Sequence, residues 1–189
     1  MNVFAVDTET TGLDDPRPIE IAAVCVDDFS IAFCERIKPE VPIEAEAIAL
    51  HGMTRESLAS CRSESEVIRD FINFLARHGA RELVAHKASF DRGVIERALE
   101  RSQMPLLRMP WRCTIDMSRA KLPQYGVRHK LSDCCARAGI DYKEAHSALH
   151  DAIMCARVFK NFFAPTLEDL WMDAGLSAVN SQEAEEYGD

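Results

Sequence analysis

The chain has 189 residues, 47 % of them apolar and 28 % charged, with a formal net charge of −9. Such a chain can bury one substantial core, and no run approaches the ~20 apolar residues of a membrane span or the basic-then-apolar pattern of a signal peptide. Its seven cysteines are odd in number and include no C-x-x-C, which argues against a disulfide framework or zinc site and for reduced core residues in a cytoplasmic protein.

Residues 2–7 (NVFAVD) predict a first strand. Asp7 and Glu9 follow two residues apart, and positions i and i+2 of a strand share a face. Two carboxylates held side by side at the end of a core strand repel each other, and their burial needs a partner. Residues 18–27 and 30–38 predict strands two and three, joined by a tight turn as an antiparallel meander. Two short helices are expected at 44–50 and 54–59. Ser63 and Glu66 have capping-box spacing before Val67, Ile68, Phe71, Ile72 and Leu75 at helical period, and Gly79 ends that helix.

Residues 82–86 predict strand four, and Ser89 can cap a helix running to about residue 101. Residues 111–116 predict a fifth strand running into a helix. A helix over 130–139 follows, in which Cys134 and Cys135 read as half-buried, and a long helix over 147–163. The tail after Pro165 has seven acids and no Lys or Arg; a short helix at 167–174 and a partly disordered end are expected. The chain therefore divides into one folded domain, 1–165, and an acidic tail, 166–189. A meander followed by alternating helices and strands implies an α/β fold with a mixed sheet covered by helices.

The charge is unevenly spread. Residues 77–130 hold 12 Lys/Arg against 5 Asp/Glu, a net of +7, whereas both flanking regions are acidic. A basic middle third could form a phosphate-facing patch, although each single arginine could equally line a solvent-exposed helix.

Asp91 in HKASFDRGV and Asp151 in HSALHDAIMCA join Asp7 and Glu9 as acids among apolar neighbours. Four converging oxygen ligands suit a hard cation such as Mg²⁺ or Mn²⁺. Two such ions stabilise the attacking and leaving oxygens of phosphodiester hydrolysis, and cations would hold the paired acids together.

The stretches DTETTG, AHKASFD and HSALHDA, in this order and spacing, resemble the three exonuclease motifs of the DEDDh 3′–5′ exonucleases. That family includes the proofreading subunits of bacterial replicative polymerases. The resemblance runs from residue 2 to about 163, and the run LVAHKASFDRGV followed by WRCTIDMSRAKLP is most similar to exonuclease X-type members. It implies a ribonuclease H-like fold with a mixed five-stranded sheet flanked by helices. It implies that Asp7, Glu9, Asp91 and Asp151 bind two Mg²⁺ or Mn²⁺, with His146 as the general base, a role imidazole suits near neutral pH. Thr10, Thr11 and Gly12 match the turn facing the terminal nucleotide, and Leu13 the apolar wedge beside its base. Glu46 and His51 match nucleotide-contacting positions, and Met53 and Phe90 could supply apolar walls. Lys87 departs from the family, which usually has asparagine there; it either faces solvent or contacts a substrate phosphate.

The implied activity is a metal-dependent 3′–5′ exonuclease releasing nucleoside 5′-monophosphates, with DNA favoured over RNA as partner. The alternatives are an exoribonuclease trimming RNA ends, and a non-catalytic nucleic-acid-binding or polymerase accessory module. No sliding-clamp motif supports stable polymerase attachment. His150 is i+4 from His146, but without a third nitrogen or sulfur ligand a zinc site is disfavoured.

Overall fold

The eight residues Val3–Thr10 form β1, and all but Asp7 are buried. The computed structural model describes residues 2–121, 126–143 and 146–163, so the acidic tail and its expected helix lie outside the described residues. β1 runs three residues past its predicted end. Its ladder with β2 (Pro18–Cys25) continues through Glu9↔Glu20 and Thr10↔Pro18, with an irregularity between Glu9 and Thr10. Asp7 and Glu9 are thus inside the strand. β3 (Ala32–Arg36) completes the antiparallel meander, and β4 (Glu82–Ala85) and β5 (Trp111–Cys113) add in parallel on the other side of β1. The strand order β3-β2-β1-β4-β5 is a mixed five-stranded sheet with β1 at its centre.

Six helices are described: α1 (Ala45–His51), α2 (Glu64–Arg77), α3 (Ala88–Arg101), α4 (Thr114–Lys121), α5 (Leu131–Arg137) and α6 (Ala148–Phe163). The Ser63–Glu66 capping box is present at the start of α2. The helix expected over 54–59 is instead a run of turns. Thr54 and Ser57 bond each other's backbone N–H through their hydroxyls, at 3.0 and 3.2 Å. Such local side-chain bonds compete with helix continuation. α3 begins one residue before Ser89, with Lys87 at the N-cap position. Cys134 and Cys135 are fully buried and not half-buried, and Cys34 is exposed and not in the core; all seven thiols are unpaired.

The two-residue strand period divides the core. On one face Val3, Ala5, Ala22 and Val24 pack against Ala152, Cys155, Ala156 and Phe159 of α6. On the other, Phe4, Val6, Ile21 and Ala23 pack against α2 and α3 through Val67, Phe71, Ile95 and Leu99. Alanines on both sides of the first contact let α6 lie close to the strands.

Candidate active site

The same period places the acids. Positions 7 and 9 of β1 continue the Val3–Ala5 face toward α6, and Thr8 points the other way, toward α3. Asp7, Glu9 and Asp151 accordingly bring ligand oxygens within 4.8 Å of one another. Asp91 stands outside that trio. It is 4 % exposed, and its Oδ1 accepts both the backbone N–H of Thr8, at 3.1 Å, and the Thr8 hydroxyl, at 2.9 Å. One face of β1 therefore delivers two carboxylates to meet Asp151 from α6, and α3 holds the fourth against the Thr8 side of the same strand.

α6 carries Asp151 in its first turn, and two side chains fix it. Glu20 on β2 is 3 % exposed and lies across the ladder from Glu9. It accepts the Ala148 N–H at 2.8 Å and the Arg36 Nε–H at 2.9 Å. Tyr142 donates its hydroxyl to Asp151 Oδ1 at 3.1 Å. His146 precedes α6 with a left-handed backbone, φ 37°, a region sparsely populated by residues other than glycine. The His150 ring leans on Tyr142, with centroids 5.6 Å apart.

The cluster's electrostatics are those of crowded, desolvated anions. Burial is the largest cause for each acid. It raises Asp7 well above the usual carboxylate range, helped by Asp91, Asp151 and Glu9. Burial, with Asp151 and Glu20, lifts Glu9 to about 7. Asp91 is also raised to about 7 by burial, although the Thr8 bonds and the nearby Lys87 pull it down. Asp151 is raised by burial and held back by Tyr142, His150 and His146. Compact carboxylate oxygens that repel one another are the donor set a hard divalent cation takes, so the residues present fit such an ion.

Beside the acids, the DTETTG turn is tied down. Thr10 donates its hydroxyl to the Gly12 carbonyl at 2.9 Å, and the Thr11 backbone exchanges bonds with Arg17 and Glu44. The Glu44 carboxylate accepts the Leu13 and Asp14 N–H groups at 3.3 and 3.4 Å. It fills the space a Cβ on Gly12 would occupy, at 1.9 Å from its Cδ. Leu13 is left 80 % exposed. His51 accepts the Met53 N–H on Nδ1 at 3.0 Å, so its neutral ring carries the proton on Nε2, which is buried without a partner. Burial lowers the His51 pKa and His146 adds to the lowering, while the Thr10 backbone and the Glu20 carboxylate oppose it.

The remaining sequence candidates are dispersed. Glu46 is exposed on α1. Met53 is 5 % exposed and packs with Ile19 and Leu58 in a small separate core. Lys87 is exposed, with its Nζ 5.6 Å from the centre of the Phe90 ring. Sequence reading did not single out Thr8, Glu20, Glu44 or Tyr142. Glu20 had a usable signal: an acid on the same face as Ala22 and Val24 in a strand whose residues are otherwise core. Glu44 and Tyr142 had none, since their partners depend on how loops return to the sheet.

The sequence model of the Exonuclease family matches residues 4–159. The DNA polymerase III subunit epsilon of Buchnera aphidicola subsp. Schizaphis graminum is 30 % identical over 168 residues, covering 82 % of this chain and 69 % of that protein. The PolC-type DNA polymerase III of Latilactobacillus sakei is 35 % identical over 150 residues, 77 % of this chain, which spans only 10 % of the length of that relative. Among solved structures, exonuclease X in complex with 5′ overhanging duplex DNA superposes with a TM-score of 0.69 at 25 % identity, covering 86 % of this chain and 91 % of that one.

Proposed function

The chain belongs to the exonuclease family, and on that premise we propose that it is a metal-dependent 3′–5′ exonuclease that shortens DNA ends and releases nucleoside 5′-monophosphates. One observation carries the reading: Asp7, Glu9 and Asp151 gather their ligand oxygens within 4.8 Å where β1 meets the first turn of α6. Two Mg²⁺ or Mn²⁺ ions held by these three and Asp91 would stabilise the charge developing on the attacking and leaving oxygens. His146, at the entry to α6, takes the proton of the attacking water and hands it on to solvent.

The backbone of Thr10, Thr11 and Gly12 faces the terminal nucleotide, with Leu13 against its base and His51 Nε2–H donating to it. Glu44, more than Glu46, holds that turn in shape. Lys87 and Phe90 border the backbone path, where an exposed ammonium favours phosphate without specifying sequence. DNA is preferred because the epsilon relatives are DNA polymerase subunits by name and the exonuclease X structure is a DNA complex. No helix among the described residues is long and apolar enough to cross a membrane, and seven unpaired thiols suit a reducing cytoplasm.

The test is end-labelled DNA and RNA, single- and double-stranded, with Mg²⁺, Mn²⁺ or EDTA. Stepwise release of 5′-mononucleotides from DNA 3′ ends, lost in EDTA, is expected. Preferential degradation of RNA would move the reading to an exoribonuclease, and tight binding without hydrolysis to an accessory module. Co-sedimentation with a replicative polymerase subunit tests attachment separately.

A further inference from the structure

A groove of about 360 Å³ lies between the loop bearing Leu13, Asp15 and Pro16 and the side of α3 that carries Ser89, Phe90 and Arg97. Both of its walls come from segments that neighbour the carboxylates in sequence. Phe90 immediately precedes Asp91, and Leu13 ends the turn that follows Glu9. The exposed Leu13 and the half-buried Phe90 can face a base, but the groove's one cation is unexplained by the fold.

Arg97 is that cation. The other α3 arginines are neutralised: Arg92 pairs with Glu96 at 2.8 Å, and Arg101 with Glu64 at 2.7 Å. Among the described residues Arg97 has no acid within ion-pair distance, Asp15 across the groove included, and its Nε is buried with no hydrogen-bond partner. A buried donor left unpaired is costly. The guanidinium also lies back along the helix over Gly93, where a Cβ would stand 3.3 Å from Nη1. Any larger residue there would press on it. The missing side chain at position 93 lets the planar fork rest toward the Phe90–Asp91 end of α3, and that fork matches a phosphate better than an ammonium does.

We propose that this groove holds the penultimate nucleotide of the strand and that Arg97 receives the phosphate on its 5′ side, the first phosphate upstream of the scissile one. The inference rests on the exonuclease reading above and adds where the strand leaves the active site. A groove of this volume takes one nucleotide, so the contact grips the backbone once, next to the reacting bond, whatever the base.

Two dinucleotides isolate that phosphate: thymidylyl-thymidine with and without a 5′-phosphate. The wild-type chain should cleave the 5′-phosphorylated form with about tenfold higher kcat/KM. Arg97→Gln should erase the preference, and Arg97→Lys should keep part of it through charge alone. Thermal melting of both variants establishes that they are folded. A wild type that cleaves longer DNA yet treats the two dinucleotides equally, or a folded Arg97→Gln variant that retains the preference, overturns the subsite while leaving the exonuclease intact. A wild type that cleaves neither dinucleotide nor any longer DNA overturns both.

Discussion

The carboxylate of Glu20 accepts the backbone N–H of Ala148 at 2.8 Å, joining β2 to the first turn of α6 across 128 residues of sequence. That N–H is one of the four a helix cannot satisfy internally, and an anion is favoured at this end of the helix dipole. The same turn carries Asp151 and follows His146, so Glu20 sets their distance from Asp7 and Glu9. Glu20→Ala should cost about 1–3 kcal/mol in urea unfolding and lower kcat more than it raises KM. Glu20→Gln keeps an acceptor for Ala148 and removes an anion that raises Glu9, so it should retain most of kcat. Equal damage from both substitutions would show that charge, and not the anchor to α6, is what matters.

Asp7→Asn and Asp151→Asn each remove one charge from the 4.8 Å trio. Nuclease activity should fall by several orders of magnitude because the cations lose a ligand. The metal-free fold should lose nothing, and should gain where repulsion among the acids is relieved. Calorimetric Mn²⁺ titration and melting in EDTA separate the two effects. Near-wild-type turnover in either variant would exclude this cluster as the reacting site.

The raised acids also fix a pH dependence. Glu9 and Asp91 stand at about 7 in the folded chain, against ordinary values near ~4 in the unfolded one. The folded state therefore binds extra protons in that window. Their stabilisation is complete below the unfolded values and is lost as pH rises through about 7. His86 acts oppositely: burial depresses it to about 4, so its contribution is present above ~6.5 and is lost as pH falls. The acid effect should thus be cleanest just around neutrality, as a falling melting temperature in EDTA. Divalent ions bind the deprotonated carboxylates, so saturating Mn²⁺ should raise the melting temperature more at about pH 8 than at about pH 5. Equal gains at both would mean that the ion binds elsewhere.

The fold could be read in the sequence wherever a single period ran uninterrupted. The meander, α2 with its capping box and α6 all follow from local pattern. The limit came where the decisive partner was distant. β1 looked finished at its first acid because the ladder to β2 that carries it to Thr10 is a tertiary fact. Four acids could be named, but not that alternation turns Thr8 toward α3 to hold Asp91. Glu46 and Glu44 are both acids at the start of α1, and only the returning loop decides that Glu44 meets Gly12.

The two histidines of HSALH should separate cleanly. His146→Ala should lower kcat by ~10²–10⁴, the range of a lost general base, with metal binding nearly intact. His150 packs on Tyr142, which in turn donates to Asp151, so His150→Ala should loosen one ligand and cost less than about tenfold. Single-turnover kinetics beside calorimetry reads both. Exchanged magnitudes would reassign the base.

Gly12 gives the sharpest local test. Its φ of 154° is rarely adopted by residues with a side chain, and an added Cβ would fall 1.9 Å from Glu44 Cδ. The Glu44 carboxylate is the mobile end of its side chain and can retreat. Retreat, however, abandons the Leu13 and Asp14 N–H groups it now receives. Gly12→Ala should therefore cost about 1–3 kcal/mol, part from backbone strain and part from these lost bonds. It should also raise KM for DNA, because Leu13 would no longer be held at the mouth of the site. In a Glu44→Ala background the steric part is already gone, and the same substitution should cost less by about 1 kcal/mol in a double-mutant cycle. Additive penalties would place the whole effect in the backbone of Gly12 and remove Glu44 from the account of how this turn is held.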